Sequence, residues 1–179
     1  LNTSVYMLVF FNATAPTEIY PLSLHDALPI SAASSTGQEG ISIALTALNS
    51  VDDAARKVKI TGTDISAAAI RYAKAGIYKQ MEVQRGLPIQ DLVKNFQQID
   101  EQSWQVNATL KSMIHFQEAN LISPSLITNL RHYSPFDIVF CRNVLIYFDV
   151  EQRKIVIDHI AQLMEVGGYL FTGAGEMVE

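Results

Sequence analysis

Residues Phe136 to Asp149 read FDIVFCRNVLIYFD. The first six are apolar except Asp137, and their aromatic and β-branched side chains suit a pleated, buried backbone, which predicts a strand over Phe136–Cys141. The character changes at once after it. Arg142, Asn143 and Tyr147 bring fixed hydrogen-bond donors and a ring with a hydroxyl tip to the strand's end. Asp149 and Gln152 have capping-box spacing, so a helix follows, and Ile155, Val156, Ile160, Leu163 and Met164 give it an apolar face. Buried strand, polar loop and amphipathic helix form the unit of an open α/β sheet, where ligands lie beyond the carboxyl ends of the strands.

The same alternation runs outward from this segment. Ser31 to Gly40 (SAASSTGQEG) is a loop of small residues, after which Ile41, Ala44, Leu45 and Leu48 recur at helical spacing. Lys57 to Thr63 (KVKITGT) reads as a strand closed by Asp64. Ser66 caps a helix through Ala69, Ile70 and Ala73, with Gly76 at its C-terminal end. Pro88 suits the first turn of a helix over PIQDLVKNF. Residues 99–112 are polar, with room for a short strand within Trp104–Leu110. Met113 to Ala119 predicts another strand, ending at Asn120, and Ser123 to Leu130 a short helix. Gly167 and Gly168 are expected to end the long helix, with Tyr169 to Thr172 as a further strand.

Composition limits the possibilities. The 179 residues are 49% apolar and 17% charged, which suits one domain with a real core. A formal net charge of −5 offers no basic face for nucleic acid. The single cysteine, Cys141, allows no internal disulfide and fits a reducing compartment. His25, His115, His132 and His159 are far apart without cysteine partners, so no metal site is expected. No apolar run reaches the roughly 18 residues of a membrane span. Val5 to Phe11 is apolar, but no Lys or Arg precedes it as in a signal peptide. Thr17 to Ile30 (TEIYPLSLHDALPI) resembles the peptide obtained by translating a common sequencing-adapter sequence. Residues 1–30 are therefore expected to be a non-native leader. The alternative is a genuine lead-in with Ala27 to Ala33 as the first core strand, and a chance apolar ALPI can fill that slot either way.

Three features fall at strand ends: the loop SAASSTGQEG, Asp64, and Cys141-Arg142-Asn143. Small residues let a ligand approach the backbone, and an acidic strand end suits a ribose diol. Each has a plainer reading. The loop can be purely structural, Asp64 a cap, and Tyr147 a half-buried core aromatic. Arg142 can make a structural ion pair or attract an acceptor carboxylate, and Cys141 is better read as a small hydrophobe than a nucleophile. The loop lacks the G-x-G-x-x-G phosphate pattern, so a nicotinamide dinucleotide ranks last.

Taken together, the segment FDIVFCRNVLIYFD resembles the hallmark of the CheR-type methyltransferases, which methylate glutamates of chemotaxis receptors. SAASSTGQEGISIA resembles that family's first cofactor loop, and GTDIS (Gly62–Ser66) its acidic second motif. GIYKQMEVQRGLP (Gly76–Pro88) resembles the lead into its small β-subdomain. Asn120-Leu121 resembles its cofactor-contacting pair, and VGGYLFTGAGE its last core motif. The likeness covers about residues 31–179.

The resemblance implies a class I, Rossmann-like methyltransferase fold: a mostly parallel sheet with helices on both faces and a small inserted β-subdomain, about residues 77–119. It implies transfer of a methyl group from S-adenosyl-L-methionine to receptor glutamates, leaving S-adenosyl-L-homocysteine, in the cytoplasm and without membrane insertion. By position, Glu39, Asp64, Asn120, Leu121, Arg142 and Asn143 should contact the cofactor, with Asp64 on the ribose. Tyr147 should be the catalytic residue that orients the incoming carboxylate. The chain departs from the family in showing no Thr- and Arg-containing helical domain at its start and in stopping soon after the last core motif. Gly40 stands where Pro is common, and Ala174 where His is common. Weak cofactor binding and slow or no turnover are expected for this chain. The competing expectations are a methyltransferase with another acceptor, and a non-catalytic module that senses S-adenosylmethionine or docks on receptors.

Overall fold

The computed structural model describes residues 27–176. Five strands form a parallel sheet: β1 (Pro29–Ser31), β2 (Ile60–Asp64), β6 (Ile114–Glu118), β7 (Phe136–Cys141) and β8 (Met164–Thr172). Between β2 and β6 the chain makes a second, antiparallel sheet of β3 (Ile77–Lys79), β4 (Phe96–Asp100) and β5 (Ser103–Val106), in the order β3–β5–β4. The helices are α1 (Gln38–Ser50), α2 (Ala54–Lys57), α3 (Ala67–Ala75), α4 (Gln80–Val83), α5 (Ile89–Asn95), α6 (Ala108–Met113), α7 (Ser125–Leu130) and α8 (Val150–Leu163).

The order across the large sheet is β6–β2–β1–β7–β8. The sheet starts with β1 at its centre, builds outward through β2 and β6, then crosses back to lay β7 on the other side of β1. Ile30 is flanked by Thr61 on one side and Val139 on the other. The direction of winding reverses between β1 and β7, which opens a crevice at their carboxyl ends.

Helices cover both faces, because successive strand residues point in opposite directions. Phe140 packs in a cluster with Ile41, Ala44 and Leu45 of α1 and Leu110 and Met113 of α6. Its neighbours Val139 and Cys141 pack with Leu126 and Leu130 of α7 and Val156, Ile160 and Leu163 of α8. The chain forms the expected α/β sheet, with a small antiparallel sheet between β2 and β6.

Local rules explain several boundaries. Ser66 accepts the Ala69 N–H and starts α3, and Gly76 ends it in a left-handed turn. Asp149 and Gln152 make the reciprocal capping box of α8. Other expectations shift. Ser31 belongs to β1, and α1 already begins at Gln38, so the small-residue loop is shorter than the composition suggests. Lys57 ends α2, and Ile60 starts the strand expected from Lys57. Ile155 is 43% exposed and lies off the buried stripe of Val156, Ile160 and Leu163, because it stands about 100° around the helix from Val156. The long helix stops at Leu163, before the glycines. β8 starts at Met164, opposite Phe136, and its register jumps so that Ile138 faces Tyr169. Gly167 and Gly168 occupy this irregularity rather than the helix end. The expected leader lies mostly outside the described residues. Pro29 and Ile30 fill the central strand, with Ala27 bridging to Val58. Among the described residues no helix is long and apolar enough to cross a membrane.

Candidate active site at the carboxyl edge of the sheet

Because the five strands are parallel, residues following each of them meet at one edge. The loop after β1 is stitched to its neighbours by main-chain bonds. Ala32 N–H donates to Phe140 O at 2.8 Å, and Ser34 N–H to Thr63 O at 2.7 Å. Thr63 Oγ1 returns a bond to Ala32 O at 2.8 Å. The loop then turns sharply into α1. Gly37 has φ 95°, and a Cβ there would come within 2.8 Å of Ala73 Cβ, so only glycine allows both the turn and the approach. The inserted segment supports this turn from outside: Tyr78 OH of β3 donates to Thr36 O at 2.8 Å, and Gln38 Nε2 at the start of α1 to Glu82 Oε1 of α4 at 2.9 Å.

Asp64 ends β2 at this edge. Its Oδ2 accepts Ser35 N–H at 2.9 Å and its Oδ1 accepts Ser66 N–H at 2.9 Å. Asp64 thus serves as the cap-like residue of the plainer reading, and each oxygen keeps a lone pair for a ligand hydroxyl. Asn120 follows β6 beside it, since Ala119 N–H donates to Asp64 O at 2.9 Å. The Asn120 side chain accepts Ile122 N–H at 3.2 Å and shapes its own turn. Leu121 is buried in the core under α7 and α8.

Glu39, in the first turn of α1, is only 4% exposed. Ser31 Oγ donates to its Oε2 at 2.6 Å, and Arg142 Nη1 lies 3.3 Å from its Oε1. Burial holds the Glu39 carboxyl above the usual carboxylate value, and the Ser31 hydroxyl and Arg142 guanidinium act against that. Arg142 therefore makes the ion pair foreseen as one of its two readings. Asn143 follows in the left-handed region, φ 56°, a conformation that Asn tolerates better than most side chains. Tyr147 closes the one-turn 3₁₀ helix Leu145–Tyr147. Leu145 is buried and Tyr147 is 78% exposed, so Tyr147 is not a core aromatic. Cys141 is fully buried, and burial, with the charges of Glu176 and Glu39, pushes its thiol up to about 12.

The fold thus gathers the ends of β1, β2, β6 and β7 at one edge of the sheet. It joins Asp64 to the loop after β1, and Glu39 to Arg142. Two participants escaped the sequence reading. Ser31 was placed in a loop, yet its hydroxyl holds Glu39. Glu176, 5% exposed, accepts N–H groups of Asn143, Ile146 and Gly173. Its signal was an acidic residue just past a predicted strand, the same signal that drew attention to Asp64. Among the described residues no cluster of His, Cys, Asp and Glu could hold a metal ion.

A doubly wound sheet with an acidic strand end, and at its switch point a small-residue loop without the G-x-G-x-x-G pattern, has the architecture of nucleoside-binding α/β domains. Residues 15–179 match the family described as "CheR methyltransferase, SAM binding domain", and the chain belongs to that family. It is 38% identical over 152 residues to the chemotaxis protein methyltransferase of Vibrio parahaemolyticus, covering 82% of this chain and 52% of that protein. It is 32% identical over 149 residues to the chemotaxis protein methyltransferase of Escherichia coli, covering 82% and 50%. The chain spans about half the length of the curated relatives it matches. Among solved structures, the DszA carbon methyltransferase superposes with a TM-score of 0.51 at 21% identity, covering 93% of this chain and 32% of that one. That likeness is one of fold.

Proposed function

We propose that this domain binds S-adenosyl-L-methionine in the crevice between β1 and β7 and serves methyl transfer to glutamate side chains of chemotaxis receptors in the cytoplasm. The observation that carries the proposal is the meeting, at one sheet edge, of an acidic strand end, a small-residue loop and a paired carboxylate and guanidinium. The donor set fits the group. Asp64 offers free lone pairs to a ribose diol. Glu39 and Arg142 carry opposite charges that match the ammonium and carboxylate of an amino-acid end, so a zwitterion can share or replace their pair. Asn143 and Asn120 line the walls, and Leu121 contributes through its backbone.

Bound there, the cofactor supplies a methyl group on a positively charged sulfur. The acceptor glutamate is ionised near neutral pH and needs no base. The chain's residues therefore align and desolvate rather than move protons. Tyr147, standing out from the edge, is assigned to orient the incoming carboxylate through its hydroxyl. The domain organisation we propose is residues 31–179 for the cofactor domain with 77–119 as an inserted subdomain, Pro29 and Ile30 filling its first strand whatever their origin.

Two measurements test this. Calorimetric titration with S-adenosylmethionine should show binding that Asp64→Ala weakens at least tenfold. Incubation with labelled cofactor and receptor cytoplasmic fragments should leave base-labile label on glutamate. Label stable to base points to another acceptor atom, and binding without any transfer refutes transfer by this chain on its own. No binding at all refutes the proposal.

A further inference from the structure

Tyr147 is 78% exposed, so packing of its own ring does not place it. Its position is set by the backbone between Asn143 and Phe148. Two side chains from elsewhere hold that backbone. Glu176, beyond β8, takes the amides: its Oε2 accepts Asn143 N–H at 2.7 Å and its Oε1 accepts Ile146 N–H at 3.2 Å. Arg153, on α8, takes the carbonyls: its Nε donates to Leu145 O and to Phe148 O, both at 3.0 Å. An anion thus collects the donors and a cation the acceptors of one irregular loop. Leu145 adds a buried apolar anchor between them.

Glu176 is itself firmly placed. Its Oε2 accepts Gly173 N–H at 2.6 Å, its own N–H donates to Gly173 O at 3.0 Å, and Thr172 Oγ1 donates to its carbonyl at 2.9 Å. A Cβ on Gly173 would collide with the carboxylate. Among the described residues Glu176 has no ion-pair partner, as Arg142 is paired with Glu39. Among the described residues it is backbone amides that satisfy this buried carboxylate. Charge-assisted bonds of this kind are about twice as strong as neutral ones, and a carboxylate buried without them would be costly.

We infer that Glu176, with Arg153 as its counterpart, is the positioning residue that fixes Asn143 in its left-handed conformation and sets Tyr147 over the crevice. Its catalytic consequence rests on the proposed methyl transfer, whereas its structural consequence does not. Glu176→Gln keeps the size but puts an NH₂ group where an amide donor needs an acceptor.

Amide hydrogen exchange by NMR on the whole chain reads the structural part. In Glu176→Gln the Asn143 and Ile146 amides should exchange at least tenfold faster, while Val139 and Phe140 in β7 keep their wild-type rates. Equal rates at Asn143 and Ile146 in the two proteins overturn the inference. If the variant does not fold, the wild type still decides: exchange of these two amides at unstructured-chain rates refutes the clamp, and protection supports it. A double-mutant cycle on transfer rate reads the functional part. Glu176→Gln should slow transfer about tenfold in the wild type and markedly less in a Tyr147→Phe background, because the part of the loss that runs through the Tyr147 hydroxyl is already gone there. An equal fold loss in both backgrounds indicates a merely structural role and overturns the positioning claim. A wild-type chain that never binds S-adenosylmethionine refutes the proposed function, and the exchange result still stands.

Discussion

Replacing Arg142 by Met would strand the Glu39 carboxylate. The pair is nearly dry, with side-chain exposures of 11% for Arg142 and 4% for Glu39, and closes at 3.3 Å. Removing one partner of a buried pair costs about 3–5 kcal/mol, because the other charge remains desolvated. Here the Ser31 hydroxyl still donates to Glu39, so the lower end, about 3 kcal/mol, is expected at pH 8. The loss should shrink on acidification. Burial already holds the folded Glu39 carboxyl above its ordinary value of 4.5, and loss of the guanidinium raises it further. A carboxyl raised on folding contributes stability that is full below its unfolded value and lost as pH climbs through the folded one. The variant should therefore regain stability relative to wild type as pH falls from 8 toward the ordinary carboxylate value of 4.5. Adding Glu39→Gln to Arg142→Met should recover at least half of the loss, since a neutral amide needs no cation and can still accept from Ser31. Urea unfolding followed by circular dichroism at both pH values, on all three proteins, measures this. A loss below about 1 kcal/mol at pH 8, the surface-pair range, would refute the reasoning. So would a loss independent of pH, or a double variant no better than the single one.

Four other outcomes follow from the same structure. Cys141, fully buried with its thiol pushed up to about 12, should resist iodoacetamide in the native chain at pH 8 and react readily in urea. The same shift predicts stability that is intact below the ordinary thiol value of 9.0 and declines as pH rises from there toward 12; a flat alkaline profile argues against it. Gly37→Ala should destabilise by more than about 1 kcal/mol, from the left-handed φ and the approach to Ala73, and a neutral result in urea unfolding would show that the α1 turn relaxes freely. Asp149→Ala removes the side chain that accepts Gln152 N–H at 2.8 Å and should cost about 1 kcal/mol, seen as a lower midpoint at unchanged slope.

Parts of this molecule were open to reading along the chain. Phe136–Cys141 is bounded as expected because its apolar residues, interrupted only by Asp137, run between a proline and an arginine. Ser66 and Gly76, and Asp149 with Gln152, mark helix ends through bonds that reach only a few residues. Asp64 and the Arg142–Asn143 pair stood out because they interrupt apolar strands at the sheet edge where ligands bind. These signals are short-ranged, so the order of residues carries them complete.

What the order of residues did not reveal depends on which strands lie side by side. β4 carries glutamines on both faces, so no alternation announces it; pairing with β5 makes it a strand. β8 begins at Met164 because Phe136 is there to pair with it. Glu39 and Arg142 are 103 positions apart, and each alone is a charge that belongs in water. Glu176 reaches Asn143 across 33 positions because β8 lies next to β7. Helix caps and apolar runs are local and were determined by the sequence itself. Buried charges are tolerable only where a distant partner arrives, and closure of the sheet alone brings that partner.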